Sequence, residues 1–533
     1  MRQNLAAKHR ACILQLISFI FIFFFSFYSH AQAPVLRLTN SFTEHAVLYN
    51  TDTFQHSAWK PVVYTDSTYT KSNRTWLHRK FFEEHLLQVQ HPSFNIFADI
   101  VVDEYIGVGK RGIPTSQQRG GNNKSKLNMM NTRGYEASGS IGNKFYFETD
   151  LYENQGRFPG YVDSIIRRDT VVPFQNRFKN VGDGKGFDFS YSTARLIYIP
   201  NPHFLFNLGY GTNFIGDGYR SLLLSDYNTN YPYLRASANF GHFQYSLMWS
   251  QYISGTTRNI YALGYPRKWG QTYLLDWQAS RNLSVGLFNS VISAYQTKEN
   301  HTNVGGSLFS PIIFLHASKS SGVKNNDLAG LNLKYRITPK INVYGQFLAG
   351  NFGSVEWENR YGFQLGLRIG DLFKVKGWNV LGEANLVRPY TYATDTITTV
   401  YAHNNEPLAH PDGANFKEIV FVSDYTYKRW WFRLEAFANR YGADSSAETD
   451  FGQNIFKPLS LHSKETNIKA SQGLYTSLYY GDIRVAYILN KKTNLRIEVG
   501  GAARSETNKT DNYKDIFFYV GVRTTFRKLI YDF

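Results

Sequence analysis

Beyond residue 31 this 533-residue chain contains no cysteine, because its single one is Cys12. Disulfide staples, thiolate metal sites and cysteine nucleophiles are therefore excluded from that part of the chain, and Cys12 lacks the flanking residues of a lipidation site. The same region has no run of 18 consecutive apolar residues, so no helix within it can cross a bilayer. Histidines at the metal-binding spacing His-x-x-x-His are also missing. Acidic residues are outnumbered, 41 against 58 basic ones.

The first thirty-one residues are built differently. Arg2, Lys8 and Arg10 precede an apolar stretch over residues 13–28, closed by Ser29-His30-Ala31. This pattern predicts a secretory signal peptide over residues 1–31, cut after Ala31, since a cut after Ala33 would leave Pro34 at the first position. An uncleaved membrane anchor is the alternative. Cleavage would remove three positive charges and lower the formal charge from +17 to +14. Such a surface favours anionic partners, and for an exported chain these are acidic glycans or lipopolysaccharide phosphates rather than nucleic acid.

With helices unable to span, only a closed barrel could, and the rest of the chain reads as one. In residues 481–489, Ile483, Val485, Tyr487 and Leu489 oppose Asp482, Arg484 and Ala486; in 495–499, Leu495, Ile497 and Val499 oppose Arg496 and Glu498. A period of two with one apolar and one polar face suits a wall between lipid and a polar lumen. Mean hydropathy is accordingly low, −0.37, because half of each strand faces inward. About 16 to 18 strand-like segments can be counted, starting at 94–102 and ending with three or four in the last sixty residues. The fold class expected is an all-β transmembrane antiparallel barrel over residues 93–533. Residues 32–92 precede it as a periplasmic or plug segment, with a helix expected over 76–89.

Connections alternate in length. Short ones include Gly241-His242, Lys428-Arg429 and Asn490-Lys491-Lys492-Thr493, whereas 254–270, 297–327, 350–361, 387–417 and 441–472 are long, and 505–513 reads as a loose loop. In outer-membrane barrels short turns face the periplasm and long loops face outside, which makes the long loops the expected working surface. Toward the end the apolar positions are even-numbered from Ile516 to Phe526 and odd-numbered at Leu529, Tyr531 and Phe533. A bulge or bend is expected where the phase slips, with the membrane-spanning part finishing near Phe526. The final Phe533, Tyr531 and Leu529 resemble the terminal signal through which the barrel-insertion machinery recognises its clients.

Chemical motifs are few. Gly182-Asp183-Gly184-Lys185-Gly186 reads as a turn, because a strand follows where a phosphate cradle needs a helix. His403 and His410-Pro411-Asp412 are weak metal candidates. Ser221, Ser225, Asp217 and Asp226 lie close enough in sequence to raise an outer-membrane hydrolase, without a distinctive Ser/His constellation. No cofactor and no catalytic residue is assigned.

Two segments stand out. One is Gly211-Thr212-Asn213-Phe214-Ile215-Gly216-Asp217-Gly218-Tyr219-Arg220, continuing through Asp226 to Tyr231-Pro232-Tyr233. The other is Arg388-Pro389-Tyr390 with Leu408-Ala409-His410-Pro411-Asp412-Gly413-Ala414-Asn415. Carboxylates and guanidiniums that hydrogen-bond hydroxyls, beside aromatic rings that cover a sugar's apolar face, suit glycan recognition. Asp217, Tyr219, Arg220, Arg388, Tyr390 and His410 are the candidate glycan-binding residues. The competing reading is a loop folded into the lumen with an internal Asp217–Arg220 ion pair.

Together these segments resemble the Wzi-type capsule-assembly family, and Trp76-Leu77-His78-Arg79-Lys80 with Glu83 or Glu84 resembles the helical element of its RemB-like branch in gliding bacteria. The resemblance runs from about residue 50 to the end. It implies an outer-membrane barrel of about eighteen strands, acting as a non-enzymatic lectin for surface polysaccharide. For the gliding branch it also implies cell-surface motility or adhesion, with envelope motility or export proteins as partners. A porin-like uptake channel is the alternative from another class.

Overall fold

The structure, a computed structural model, describes residues 56–61, 73–110, 127–182, 184–254, 265–293, 310–314, 325–351, 358–446, 448–463, 467, 469–524, 527 and 531–533. The expected signal peptide, parts of four of the five long loops, Phe526 and Lys528-Leu529 lie outside these residues.

Eighteen antiparallel strands close into one barrel. The first six are β1 (Phe94–Lys110), β2 (Leu127–Ile141), β3 (Phe145–Arg157), β4 (Gly186–Asn201), β5 (Phe204–Gly211) and β6 (Tyr231–Phe240). Next come β7 (Phe243–Ile253), β8 (Arg267–Gln278), β9 (Leu283–Ser293), β10 (Asn326–Thr338), β11 (Ile341–Asn351) and β12 (Arg360–Ile369). The last are β13 (Trp378–Val387), β14 (Phe416–Tyr427), β15 (Trp430–Ala443), β16 (Leu474–Asn490), β17 (Leu495–Thr507) and β18 (Asn512–Arg523). Each pairs with its sequence neighbour, and β18 closes on β1 with Ile516 opposite Lys110 and Arg523 opposite Asp103. Closure leaves no open edge in lipid.

The period of two decides which side chain meets lipid. On β18 Ile516, Phe518, Val520 and Val522 are exposed while Asp515, Phe517 and Arg523 are buried, and on β16 Tyr479, Ile483 and Tyr487 are exposed while Asp482 is buried. At the short-turn rim Phe243 stacks on Phe240 and on Trp277, and Trp430 meets Tyr487 edge-on. This is the aromatic girdle of a membrane-spanning barrel.

Several local expectations need correction. The helix predicted over 76–89 covers only Trp76–Phe82 (α1); Leu87–His91 is a strand that pairs with the lower half of β1, as the alternation of Leu87, Val89 and His91 suits. The loop over 505–513 shrinks to residues 508–511, because Ser505–Thr507 stays in register with Asn512–Lys514. A second helix, α2 (Gly160–Asp169), lies between β3 and β4. The bulge or bend expected near Arg527-Lys528 falls on residues that lie largely outside the described ones. Strand β18 stops at Arg523, and Tyr531, Asp532 and Phe533 lie inside the lumen with Asp532 and Phe533 buried. Tyr531 Oη is 3.1 Å from Tyr105 Oη of β1, and the Phe533 ring packs near Tyr161, Phe174 and Tyr227.

The lumen is filled by the protein itself. Residues 56–61 lie within it, Trp59 and Lys60 pairing with Ile215 and Phe214 of the β5–β6 connection. Trp59 Nε1 donates to Asn213 Oδ1 at 3.1 Å, and Lys60 Nζ donates to the Gly216 carbonyl. Leu222, Leu223 and Leu224 are completely buried among Tyr231, Tyr392 and Tyr401. Burial of each leucine contributes about 2 kcal/mol. Tyr392 and Tyr401 donate through their hydroxyls to the Leu222 and Leu223 carbonyls, so the turn's polar backbone is satisfied within the apolar cluster.

Candidate functional site

The segment 215–221 is bound to the barrel wall by its backbone. Ser221 Oγ donates to the Ile215 carbonyl at 2.5 Å and accepts from the Leu223 and Leu224 amides. Ser225 Oγ likewise accepts from the Tyr227 amide. Both hydroxyls, raised by the sequence as nucleophiles, serve as turn struts. Gly216 has φ of 146°, and a Cβ there would collide with the Gln346 amide that holds the Ile215 carbonyl. On β13, Glu383 accepts the Tyr219 amide at 2.8 Å, the Arg220 amide at 3.1 Å and the Tyr344 hydroxyl at 2.8 Å.

Side chains of this turn meet charges on the inner wall. Arg220 is 3 % exposed; its Nη2 is 3.2 Å from Glu418 Oε1 on β14, and its Nη1 is 3.1 Å from Asp532 Oδ2. Burial opposes the guanidinium's charge, but Asp532 and Glu418 more than offset this and hold its pKa well above the usual range. Tyr219 Oη is 2.6 Å from both Glu435 Oε1 and Asp532 Oδ2, and burial together with these carboxylates keeps the phenol protonated. Asp217 pairs with Lys334 Nζ at 3.1 Å and accepts from Asn332 at 3.0 Å. Burial would raise its pKa, yet Lys334 and Lys60 bring it down to about 2. The expected Asp217–Arg220 pair is thus replaced by two separate pairs. Glycines at 216 and 218 turn the chain so that alternate side chains reach different walls.

The second segment packs beside the first. His410 is fully buried; its Nε2 is 2.7 Å from Glu418 Oε2, and its ring lies 4.2 Å from that of Phe416. Tyr390 is fully buried, donating to the Asp450 carbonyl at 2.6 Å. Arg388 donates from Nε to the Asn359 carbonyl at 3.0 Å and sits over the Tyr361 ring. Glu418 therefore joins Arg220 to His410, while Asp217, Arg388 and Tyr390 belong to other parts of the plug. All six glycan candidates are buried among the protein's own groups.

His410, Asp412 and Glu418 bring ligand-type atoms within 4.8 Å of one another. The Arg220 guanidinium already balances Glu418, which opposes a further cation there. His403 is elsewhere, accepting the Ile253 amide and lying 3.2 Å from the Asn230 carbonyl. Burial pushes it down to about 3, so it is neutral at physiological pH.

Directly above this network, at the long-loop end, a cavity of about 450 Å³ opens. Its walls come from α2, from residues 405–413 and 453–456, and from the upper ends of β15 to β18, with Phe533 among them. Tyr161, Tyr227, Phe456 and Tyr513 supply aromatic faces; Arg504, Glu506, Asp412 and Asp515 supply charge. Arg504 is 2.7 Å from Glu506 and lies over the Tyr161 ring. None of the six candidates lines this cavity, although Pro411, Asp412 and Gly413 next to His410 do. Sequence reasoning missed Tyr161 and Arg168 because it assigned no element to residues 160–169, where α2 lies. Its signal was present in Val162 and Ile166 one turn apart and in the Asp163–Arg167 pair at 2.9 Å.

Fold and filled lumen define a transmembrane β-barrel closed by its own loops and both terminal segments described. No protein-family model matches the chain, and no curated protein matches it in sequence. Among solved structures it is similar to Wzi of Escherichia coli, an outer-membrane protein involved in group 1 capsule assembly and a carbohydrate-binding β-barrel. Identity is 12%, the TM-score 0.51, and the match covers 92% of this chain and 99% of Wzi. Two Pseudomonas aeruginosa barrels also align: OprD at 8% identity and TM-score 0.40, over 80% of this chain and 94% of OprD, and OccK11 at 8% and 0.44, over 82% and 99%. The likeness to Wzi extends to the fold.

Proposed function

We propose that this protein is a non-enzymatic barrel of the bacterial outer membrane that holds surface polysaccharide at its external mouth. The observation that carries the proposal is the cavity at the long-loop end, lined by aromatic faces and hydrogen-bonding side chains above a lumen filled by the plug. Wzi, which shares the fold, is a carbohydrate-binding barrel. Export through a signal peptide cut after Ala31 belongs to the same proposal, as does service in capsule or exopolysaccharide attachment. The motifs resembling the RemB-like branch support a role in gliding motility or adhesion, with envelope proteins meeting the short-turn end near α1. The six buried candidates act as positioning residues: Arg220 and His410 fix Glu418 and thereby the strand-to-loop junction that presents Asp412.

The test is binding of purified surface polysaccharide to the detergent-solubilised full chain. Phe456→Ala with Tyr513→Ala removes two aromatic faces and should weaken binding at least about fivefold, since each lost stacking contact is worth roughly 0.5–1.5 kcal/mol. Undiminished binding by the folded double variant would place the polysaccharide elsewhere.

A further inference from the structure

Building on the proposed function, the charge of the mouth cavity specifies which sugar it accepts. Five carboxylates line it, from Asp169, Glu406, Asp412, Glu506 and Asp515, against the guanidiniums of Arg168 and Arg504. Both cations are already engaged. Arg168 Nε and Nη2 grip Asp169 at 2.7 and 2.9 Å, and Arg504 spends Nη1 on Glu506 at 2.7 Å and Nε on the Phe533 carbonyl at 3.2 Å.

The remaining carboxylates differ in what they offer. Glu406 accepts the Phe174 and Thr229 amides through separate oxygens, and burial raises its pKa to about 8, so it adds little charge at pH 7. Asp515 Oδ2 accepts the Tyr161 amide at 2.9 Å. Asp412 meets Asn439 Nδ2 at 2.7 Å and His410 Nδ1 at 3.5 Å, both through Oδ2. Among the described residues Oδ1 of Asp412 has no hydrogen-bond or ion-pair partner. An oxygen acceptor thus faces a cavity whose guanidiniums are neutralised by their own acids.

We infer that the mouth cavity accepts a sugar residue presenting hydroxyl or amino donors and excludes one carrying a carboxylate or sulfate. An acidic sugar would meet the Asp412 carboxylate without a guanidinium to spare, whereas a hydroxyl or amino group can donate to its Oδ1. The positive excess of the whole chain acts at longer range and still favours an overall anionic polymer. An uncharged or amine-bearing unit of that polymer is the one seated in the cavity.

The test titrates the solubilised full chain with short oligosaccharides of three kinds: neutral glucans and mannans, amine-bearing chitosan fragments, and oligouronates. At least tenfold tighter binding of the neutral or amine-bearing kind is expected. Ser164→Lys adds a cation on the half-buried face of α2 that lines the cavity, and should narrow or reverse that preference; Asp412→Asn should weaken neutral-sugar binding without creating uronate binding. Tighter or equal binding of uronates would overturn the inference while leaving the proposed function standing. No binding of any kind, with polysaccharide binding also absent, would overturn both.

Discussion

Arg220 is the strut on which the plug most depends, because two carboxylates from different parts of the chain converge on it. Arg220→Ala leaves Glu418 and Asp532 buried without their counter-charge, and a loss of about 3–5 kcal/mol is expected. Thermal unfolding in detergent should show it as a lowered midpoint relative to the unchanged chain. Glu406 carries a pH dependence. Its pKa is raised from 4.5 to about 8 by burial, so the folded state holds a proton that the unfolded state releases above pH 4.5. Its contribution to stability is complete below about 4.5 and is lost as pH rises through 8. Hydrogen exchange around residues 402–407 should therefore be slower at pH 5 than at pH 8.5, and Glu406→Gln should abolish that difference. At this scale the sequence singled out residues whose partners it could not show. Asp217, Tyr219, Arg220 and His410 look like ligand contacts because buried ion networks and sugar sites use the same residue types; only the fold reveals Glu383, Glu418 and Asp532 as their partners.

Strands were the most legible elements, since alternation at Ile516, Phe518, Val520 and Val522 reports lipid on one face directly. Elements whose environment is the lumen were harder to read. Helix α2 is only ten residues long and buries Val162 and Ile166 against loops remote in sequence. The tail's odd-numbered phase was visible but has two physical causes, a bulge within the wall or departure from it. Residues 531–533 lie inside the lumen, and Phe533, expected as part of an assembly signal, is buried beside Tyr161 and Phe174. Deleting residues 531–533 leaves β18 intact and removes Asp532 from Arg220 and Tyr219. Such a truncation should still assemble in membranes, with the outward aromatic Phe518 left on the last strand, and should unfold at lower temperature. Failure to assemble would instead assign the insertion signal to the tail.

At the scale of the whole molecule, the basic excess and the barrel were evident from composition and periodicity, whereas a filled lumen was raised only as one of two readings, through a plug segment and a loop folded inward. Porin and plugged barrel share a polar inner face, long loops and a lipid belt. What separates them is where the loops go: residues 56–61, 212–230, 388–415 and 531–533 all pack inside or across this barrel, and Leu222, Leu223, Leu224, Tyr392 and Tyr401 form a dry cluster within it. On the proposed function such a molecule would hold a polymer at its mouth and pass no solutes through its centre. Conductance across a planar bilayer tests this most directly. The purified full chain should insert without a steady open-channel current, and a sustained ohmic current of porin type would contradict the account.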